Sequence, residues 1–396
     1  MIRAISRLRS RQNDDDHDLE RDLLNFFFFI IPRLLIKLML TWFDGGLHLV
    51  DGAAHLLFDP SNQYGPHSSP PDCGDPNLVL ISHAHSDHCN TAEQYNDCPQ
   101  VMHPATLDII KMYRKIKKPV VLKIESRGED TKYKSMKFKN IAIEAHDAGH
   151  CVGSVQFRVQ TSKGAFVFTG DMSNDPDNIA LNSAKSIEAN YLAIESTMGE
   201  PRMIAEPRPE IYRKIYDFLA GNLNNGKDIA VLYGHAIGKG QEITKLVSYF
   251  GGINIDHFLV GKRTQDINMI YEKYDSSIGR YKQFEKVIPP GKNVFFFDLY
   301  SMNANGVTAA KKFGLDKEPP SLIVSAFGDP SFGIPMIVLS SHADFNGLNR
   351  YVDESMAQTK EGGMVIPFHG SSGVLADHLR SRGYNAVDSH VNVIEI

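Results

Sequence analysis

The chain has 396 residues, of which 42% are hydrophobic and 22% charged, with a formal net charge of −5. This composition excludes a disordered or fibrous protein and leaves room for two domains, or for one large domain with an insertion. The four cysteines show neither metal-binding nor disulfide spacing, which favours a reducing, cytoplasmic setting over a secreted one.

The N-terminal part contains a hydrophobic run at residues 23–43 that is long enough to span a bilayer. Pro32, Arg33 and Lys37 lie in the middle of this run, where charge is costly in a membrane. We therefore predict that residues 1–43 are an extension whose hydrophobic part packs on the body of the protein or in an oligomer, such as a homodimer. A membrane contact through the same run is the alternative.

The pattern of strands and helices changes twice along the rest of the chain. Residues 44–200 contain short apolar runs separated by turn residues, which predict a β-rich region. Residues 201–334 alternate between strand and helix patterns, and this alternation indicates a parallel α/β sheet. We predict a first domain of residues 44–200 and 335–396, interrupted by a second domain of residues 201–334.

The stretch "ISHAHSDHCN" places His83, His85, Asp87 and His88 directly after an apolar run. Alternate residues of an extended strand end share one face, so the first three of these side chains can converge. Imidazole and carboxylate ligands suit zinc, with manganese or iron as alternatives. A single histidine here would be interpreted as a buried structural residue, but four such groups within six positions predict a metal site.

Further candidate ligands follow other apolar runs of the chain. They are His146, His150, Asp171, His342 and His369. Each lies at the end of a predicted strand, where a metal-binding edge of a sheet would collect polar side chains. Each is weak evidence alone, but together with the first motif they support one another.

The order of these motifs resembles the metallo-β-lactamase superfamily and, within it, the β-CASP nucleases. The matching segments are "HLLFDPS", "HAHSDH", "AGHCVGS", "FTGD", "ESTMGEP", "GHAIGKGQEI", "LSSHADFNGL" and "FHGSSGVLADHLRSRG". The segments "AIGKGQEI" and "SSHADFNGL" are most similar to the group of archaeal mRNA 3′-end-processing-factor-like proteins and bacterial ligase-associated DNA exonucleases. The resemblance implies an α/β fold: an αββα sandwich with an inserted α/β β-CASP cap, which would be residues 201–334.

The resemblance also implies two divalent metal ions, zinc or alternatively manganese, at one edge of the sandwich. The ligands of the first ion would be His83, His85 and His150, and those of the second Asp87, His88 and His369, with Asp171 bridging both. Asp59 would orient a ligand histidine through a hydrogen bond; a turn residue before Pro60 is its structural interpretation. His146 matches no ligand of the family and is interpreted as structural or supporting.

In the family reaction, the ions supply an activated water that attacks a phosphodiester, and the leaving oxygen then needs a proton. The resemblance assigns that proton to His342, held by Glu195. Asp59 and Asp87 complete the catalytic residues that it implies. A buried strand-end histidine and a turn-capping glutamate are the structural alternatives for His342 and Glu195.

The turn "YGHAIGKGQEI" joins a predicted strand to a helix, and backbone amides at such a helix start favour phosphate. We predict that the wall that contacts nucleic acid includes Gly238, Lys239, Gly240, Gln241 and Ser341. Residues 111–139 add eleven lysines and arginines against three acids, which is a basic patch or simply a solvated surface.

Three functions are compatible with these features. A nuclease acting on single-stranded RNA or DNA, of the RNA 3′-end processing or DNA exonuclease type, agrees best with the cap, Glu195 and His342. A thioesterase or lactonase of the same superfamily is the second hypothesis, and a non-catalytic subunit that keeps the fold is the third. The sequence does not distinguish RNA from DNA or endonuclease from exonuclease.

Overall fold

The computed structural model describes residues 38–43, 46–62, 75–127, 131–274, 278–299, 313–326, 333–389 and 394–395. Most of the hydrophobic run at residues 23–43, and also Cys73, lie outside the described residues. Within them, no helix combines the length and apolar character that crossing a bilayer requires.

The strands, in chain order, are β1 Leu38–Phe43, β2 Gly46–Asp51, β3 Ala54–Phe58, β4 Leu78–Leu80, β5 Gln100–Met102, β6 Pro119–Val121, β7 Ile124–Ser126, β8 Lys132–Tyr133, β9 Met136–Phe138, β10 Ile141–Asp147, β11 Val155–Thr161, β12 Gly164–Phe168, β13 Tyr191–Glu195, β14 Ile229–Gly234, β15 His257–Val260, β16 Lys282–Gln283, β17 Asn293–Asp298, β18 Ser321–Ser325, β19 Met336–Val338, β20 Met364–Phe368 and β21 Ile394–Glu395. The α-helices are α1 Ser86–Cys89, α2 Pro104–Ile110, α3 Arg208–Leu223, α4 Lys239–Tyr249, α5 Lys262–Tyr274, α6 Phe345–Ser355 and α7 Ser372–Ser381, and a 3₁₀ turn covers Ala92–Tyr95.

Two sheets stack face to face to form a sandwich. The first has the order β21-β1-β2-β3-β4-β5-β6 and the second β20-β13-β12-β11-β10-β9. Phe58 of the first sheet packs against Phe157, Phe166 and Phe168 of the second, with ring centroids 4.9–6.3 Å apart. These aromatic side chains are fully buried, so each removes a large apolar area from water and fixes the two sheets together.

Helices cover both outer faces of the sandwich. On the first sheet, Ile109 and Ile110 of α2 join the same buried cluster as the outward-facing Val79 of β4. On the second sheet, Leu348 of α6 and Leu375 of α7 are fully buried in the cluster that contains the outward-facing residues of β12, β13 and β20. The predicted αββα architecture is confirmed.

A third sheet, β16-β15-β17-β14-β18-β19, is parallel throughout. Ile211, Ile215 and Leu219 recur at four-residue spacing along α3 and are buried in one cluster on this sheet. Phe295 and Phe297 alternate on β17 toward the opposite face, where they contact Phe284. The alternation of strand and helix predicted after residue 200 is therefore an α/β sheet, as expected.

The strand pairing differs from two of the predicted domain limits. β1 pairs antiparallel with β2 from Leu38 to Phe43, so the end of the hydrophobic run is a sandwich strand and the first sheet begins before residue 44. β19 pairs with β18, which places Met336–Val338 in the third sheet although we predicted a return to the first domain at residue 335. The division of the chain into domains otherwise stays a prediction.

The parallel strands of the sandwich determine where the polar side chains meet. β3 to β6 run parallel to one another in the first sheet, and β12, β13 and β20 do so in the second. The carboxyl ends of parallel strands lie at one edge of a sheet, and loops at that edge carry the functional residues of many α/β proteins. The loops after β4, β12, β13 and β20 contain most of the predicted site.

Candidate metal centre and cleft

Four histidines surround the carboxylate of Asp171. The Nε2 atoms of His83, His88 and His150 lie 3.7, 3.2 and 3.6 Å from its Oδ2, and Nδ1 of His369 lies 3.4 Å from its Oδ1. These side chains come from the loops after β4, β10, β12 and β20, so residues far apart in the sequence meet at one buried point. Asp171 thus lies at the centre of this group of histidines.

A fifth histidine completes a second face of the cluster. Nδ1 of His85 lies 3.1 Å from Nε2 of His83 and 2.9 Å from Nε2 of His150. A tetrahedral zinc ion with Zn–N distances of about 2.0–2.1 Å separates its nitrogen ligands by roughly 3.3–3.4 Å, so the three nitrogens are close to that spacing. With Asp171 these three rings offer ligand atoms that all lie within 4.8 Å of one another.

The outer nitrogen of three candidate ligand histidines is held by a hydrogen-bond acceptor. Nδ1 of His88 lies 2.8 Å from Asp59 Oδ2, Nδ1 of His150 lies 2.8 Å from the carbonyl of Ser341, and Nδ1 of His83 lies 2.9 Å from Ser82 Oγ. When Nδ1 carries the proton, Nε2 keeps its lone pair and faces Asp171. Such contacts fix the tautomer and orientation that a metal ligand needs.

Asp59 supports the cluster from behind. Its two oxygens also accept the backbone N–H and the hydroxyl of Ser82, at 2.6 and 2.5 Å. Its backbone has a positive φ of 48°, and so has that of His369, at 61°. Non-glycine residues rarely adopt this conformation, and such strain concentrates at functional sites.

The electrostatics of the cluster also fit a bound cation. Burial lowers the pKa of His83, His85 and His150, that of His85 to about 4, so these rings are neutral at pH 7, the form that binds metal. Burial opposes the charged form of His88 too, but Asp171 and Asp59 raise its pKa well above the ordinary value. The two carboxylates therefore draw positive charge to this point.

Two buried atoms of the cluster lack a hydrogen bond of normal geometry within the described chain: His88 Nε2 and Asp171 Oδ1. Burying such polar atoms is costly unless they have a partner. A divalent ion between them would supply that partner. The donor set of neutral imidazoles and carboxylates therefore fits divalent metal ions.

Asp87 and His146 differ from the other candidates. Asp87 is partly exposed, with Oδ2 3.9 Å from His88 Nε2, and lies at the rim of the cluster. His146 lies on β10, 3.7 Å from Glu144, and is not among the side chains that converge on Asp171. Its interpretation as a residue outside the ligand set agrees with this position.

Glu195 and His342 form a pair beside the cluster. Nδ1 of His342 lies 3.0 Å from Glu195 Oε2 and 3.9 Å from Asp171 Oδ2. Glu195 is fully buried, and its carboxylate also accepts the backbone N–H of Met172 at 2.7 Å. Burial lowers the pKa of His342, but the charges of Glu195 and Asp171, together with the hydrogen bond to Glu195, outweigh burial and raise this pKa above the ordinary value. An imidazole in this position can donate a proton near neutral pH.

The cluster opens into a cleft of about 570 Å³ between the sandwich and the third sheet. His85, Asp87, His150, Asp171, His342 and His369 line it from the sandwich side. The cations along it are Arg114, Lys239 and Arg263. Positive charge around a concave site attracts anionic substrates.

Only part of the predicted phosphate-binding turn lines the cleft. Lys239 and Ser341 line the cleft, and Lys239 Nζ donates to Ser341 Oγ at 2.8 Å. Gln241 is fully buried, accepts the N–H of Gly238 and donates to Ala236 O and Asn268 Oδ1. Its side chain therefore stabilises the turn and does not reach a substrate.

The amides of Gly238 and Gly240 are also engaged internally, since the latter donates to the carbonyl of His235. We correct the prediction of a phosphate site at this helix start to Lys239 and Ser341 alone. Sequence reasoning missed His235, Arg263 and Arg114 as cleft residues. The first two directly follow or nearly follow strands β14 and β15, and that position was the available signal.

Cys89 and Cys151 are buried, and each is adjacent in sequence to a candidate ligand histidine. Burial raises the pKa of the Cys89 thiol to about 11. A thiol with so high a pKa is neutral at pH 7 and is neither a nucleophile nor a ready metal ligand.

Comparisons with known proteins agree with the geometry. A family model described as a β-lactamase superfamily domain matches residues 39–190. The transcription termination factor FttA of Pyrococcus horikoshii is 24% identical over 328 residues, covering 73% of this chain and 49% of the relative. Cleavage and polyadenylation specificity factor subunit 3 of Dictyostelium discoideum is 22% identical over 365 residues, covering 86% of this chain and 43% of the relative. The chain thus spans about half the length of these curated relatives.

Among solved structures, a protein of unknown function from Enterococcus faecalis V583 has the same fold. It superposes with a TM-score of 0.59 at 14% sequence identity, covering 91% of this chain and 100% of that one. At this identity the likeness concerns the fold alone.

Proposed function

We propose that the chain is a β-CASP member of the metallo-β-lactamase superfamily and a metal-dependent phosphodiesterase that cuts single-stranded nucleic acid. The observation that carries this proposal is the Glu195–His342 pair, which lies 3.9 Å from Asp171 in a cleft lined by cations. A hydrolase that expels an alkoxide needs such a proton donor beside its metal centre.

We assign the metal ligands as the sequence suggested: His83, His85 and His150 for one ion, Asp87, His88 and His369 for the other, and Asp171 between them. Zinc is the proposed metal because imidazole and carboxylate at these spacings suit it, with manganese as the alternative. When bound, two divalent ions supply a water activated at neutral pH and neutralise charge on the attacked phosphate.

The other steps belong to side chains of this chain. His342 is protonated below its raised pKa and donates that proton to the leaving oxygen. Glu195 accepts Nδ1–H, fixes the ring and compensates its positive charge. Asp59 holds His88 through Nδ1, and the carbonyl of Ser341 holds His150 in the same way.

RNA is the favoured substrate. The relatives' names describe a transcription termination factor and a subunit of a cleavage and polyadenylation factor, and both names point to RNA ends. Another relative is named only as a 5′ exonuclease, without its polymer, so single-stranded DNA is the competing outcome of the test. The cations of the cleft suit the backbone of either polymer.

The test is a side-by-side cleavage assay. Purified protein loaded with zinc, or with manganese, is incubated with RNA and single-stranded DNA of one sequence, labelled at either end. A thioester and a lactone are tested in parallel. Cleavage of nucleic acid is the expected result, and hydrolysis of the thioester or lactone alone would overturn the proposal.

Three variants identify the residues responsible. His342→Ala should lower the cleavage rate by about 100-fold or more, since general acid catalysis contributes roughly 10²–10⁴. His85→Ala should also abolish most cleavage, because it removes a proposed ligand of the metal that activates the water. His146→Ala is the matched control, because this histidine lies on β10 outside the cluster, and it should cut like the wild type. If His342→Ala cuts normally, the acid assignment is wrong even where the protein is a nuclease.

A further inference from the structure

The cations of the cleft differ in how well their charge is already balanced. Arg263 forms an ion pair with Asp298 at 3.0 Å, and Lys239 donates to Ser341 Oγ at 2.8 Å. Arg114 also lines the cleft, but its side chain forms no hydrogen bond or ion pair with any residue that the structure describes. Its Nε is buried without an acceptor. Arg114 is therefore a cation with a buried donor, Nε, that no described residue satisfies.

The backbone beside Arg114 is tied to the metal-binding loop. Arg114 N–H donates to Ile110 O at 2.8 Å, which continues the last turn of α2. The hydroxyl of the preceding Tyr113 donates to the carbonyl of Ala84 at 2.5 Å, and Ala84 lies between His83 and His85. The position of Arg114 relative to the proposed metal ligands is thus set by a direct contact.

Arg114 differs from its basic neighbours. It is half-buried at the cleft, whereas Lys111 and Lys115 are exposed and do not line it. The guanidinium carbon lies 5.7 Å from the centre of the Tyr113 ring, a contact that provides no acceptor for the buried Nε–H. Burying unsatisfied donors costs free energy, and a substrate oxygen that accepts from them would remove this cost.

We propose that Arg114 binds a phosphate of the substrate strand that flanks the scissile phosphate. Its planar guanidinium can donate two parallel hydrogen bonds to one phosphate, which a lysine cannot do. This inference rests on the proposed phosphodiesterase function and adds a subsite to it. It implies that the enzyme prefers substrates with at least two phosphodiester linkages to an isolated diester.

The test compares two substrates in three proteins. An end-labelled oligonucleotide and bis(p-nitrophenyl) phosphate, a diester without flanking phosphates, are hydrolysed by the wild type, Arg114→Met and Lys115→Met. We expect Arg114→Met to lower the ratio of the two kcat/KM values, oligonucleotide over small diester, by about 10- to 100-fold, as the loss of a charge-assisted hydrogen bond does. Lys115→Met, the neighbouring exposed cation, should leave that ratio unchanged.

A methylphosphonate scan locates the contact. Single uncharged linkages are placed at successive positions around the cleavage site, and one of them should weaken binding to the wild type. In Arg114→Met that linkage should have no further effect, whereas Arg114→Lys should retain part of it. Thermal unfolding of each variant checks that the fold is intact.

The outcomes separate the two proposals. A wild type that hydrolyses neither substrate overturns the phosphodiesterase function, and this inference with it. A wild type that cuts both, with an unchanged ratio in Arg114→Met or the same loss in Lys115→Met, overturns the Arg114 subsite alone. A scan in which every linkage keeps its effect in Arg114→Met does so too.

Discussion

Arg208 is the buried centre of an ionic network behind the Glu195–His342 pair. Its guanidinium donates through Nε to Glu242 Oε1 at 2.8 Å, through one terminal nitrogen to the carbonyl of Ser340 at 2.8 Å, and through the other to Asp175. Its side chain is only 3% exposed and that of Glu242 only 2%. We predict that Arg208→Met destabilises the protein and impairs the site together.

The size of the effect follows from the partners left behind. Asp175 is 29% exposed and can be hydrated, but Glu242 would keep a buried carboxylate with Tyr212 as its remaining hydrogen-bond donor. Removing one partner of a buried pair costs about 3–5 kcal/mol, because an uncompensated charge stays in the interior. We therefore expect the free energy of unfolding to fall by about that amount.

Activity should fall as well, because Arg208→Met loses the hydrogen bond to the Ser340 carbonyl, in the loop that carries His342. Ser340 Oγ accepts the backbone N–H of His342 at 3.0 Å, and the next carbonyl, of Ser341, holds His150. A shift of about 1 Å at a catalytic group can cost roughly 100-fold in rate. Arg208→Met should therefore lower kcat on a cleaved oligonucleotide even at temperatures where it is fully folded.

Urea unfolding and initial rates measure the two effects, and the same helix offers a control. Arg213 of α3 is 73% exposed and lies 3.9 Å from Asp217, so Arg213→Met should change stability by less than about 0.5 kcal/mol. The double variant Arg208→Met with Glu242→Gln removes the buried charge and should recover much of the lost stability. Equal stabilities of Arg208→Met and Arg213→Met would refute the reasoning. So would a double variant whose loss of stability exceeds the sum of the losses in Arg208→Met and Glu242→Gln.

Three more predictions follow from the site. Glu195 raises the pKa of His342, so Glu195→Gln should move the alkaline limb of the pH–rate profile of kcat/KM to lower pH, and an unmoved limb would contradict the acid role. Burial lowers the pKa of Lys239 from 10.5 to about 8. Between pH 8 and pH 10.5, Lys239 therefore keeps its proton in the unfolded chain but has lost it in the folded one. The stability of the wild type relative to Lys239→Met should therefore rise by up to roughly 3 kcal/mol from pH 8 to 10.5, and a difference that does not change with pH would be inconsistent with this burial. Chelation should lower the melting temperature, and added zinc should restore it. Zinc at 100 times its Kd should stabilise the folded wild type by about 2.7 kcal/mol, and Asp171→Asn should respond less. Equal responses of the wild type and Asp171→Asn would place the metal elsewhere.

The local sequence was informative where chemistry is concentrated in short motifs. His83, His85 and His88 lie within six positions after a strand, and the structure brings all three to Asp171 or to the neighbouring ring. The alternation of strand and helix also predicted the third sheet, because helical apolar spacing such as that of Ile211 and Ile215 survives in any context. Their metal and catalytic roles stay predictions.

Residues whose role depends on tertiary contacts were not predictable in this way. Gln241 is part of a motif that resembles a phosphate-binding turn, yet its side-chain amide forms hydrogen bonds with Gly238, Ala236 and Asn268. Arg114 reads as one of eleven cations in a basic segment, and nothing local distinguishes it from Lys115. The difference arises because the turn after α2 packs against the carbonyl of Ala84, which is a contact between distant parts of the chain.

The network around Arg208 also connects the helices of the third sheet to the candidate metal centre. Arg208 and Glu242 come from helices α3 and α4 of the third sheet, whereas Asp175 follows the loop that carries Asp171. Lys239, at the start of α4, contacts the same Ser341 whose carbonyl orients His150. The ring orientation of one proposed metal ligand therefore depends on side chains more than fifty residues away from it, in the inserted α/β segment. A sandwich without that segment would keep the candidate ligands and the Glu195–His342 pair, but it would lose the contacts from Arg208 and Lys239 that hold the loop at Ser340 and Ser341.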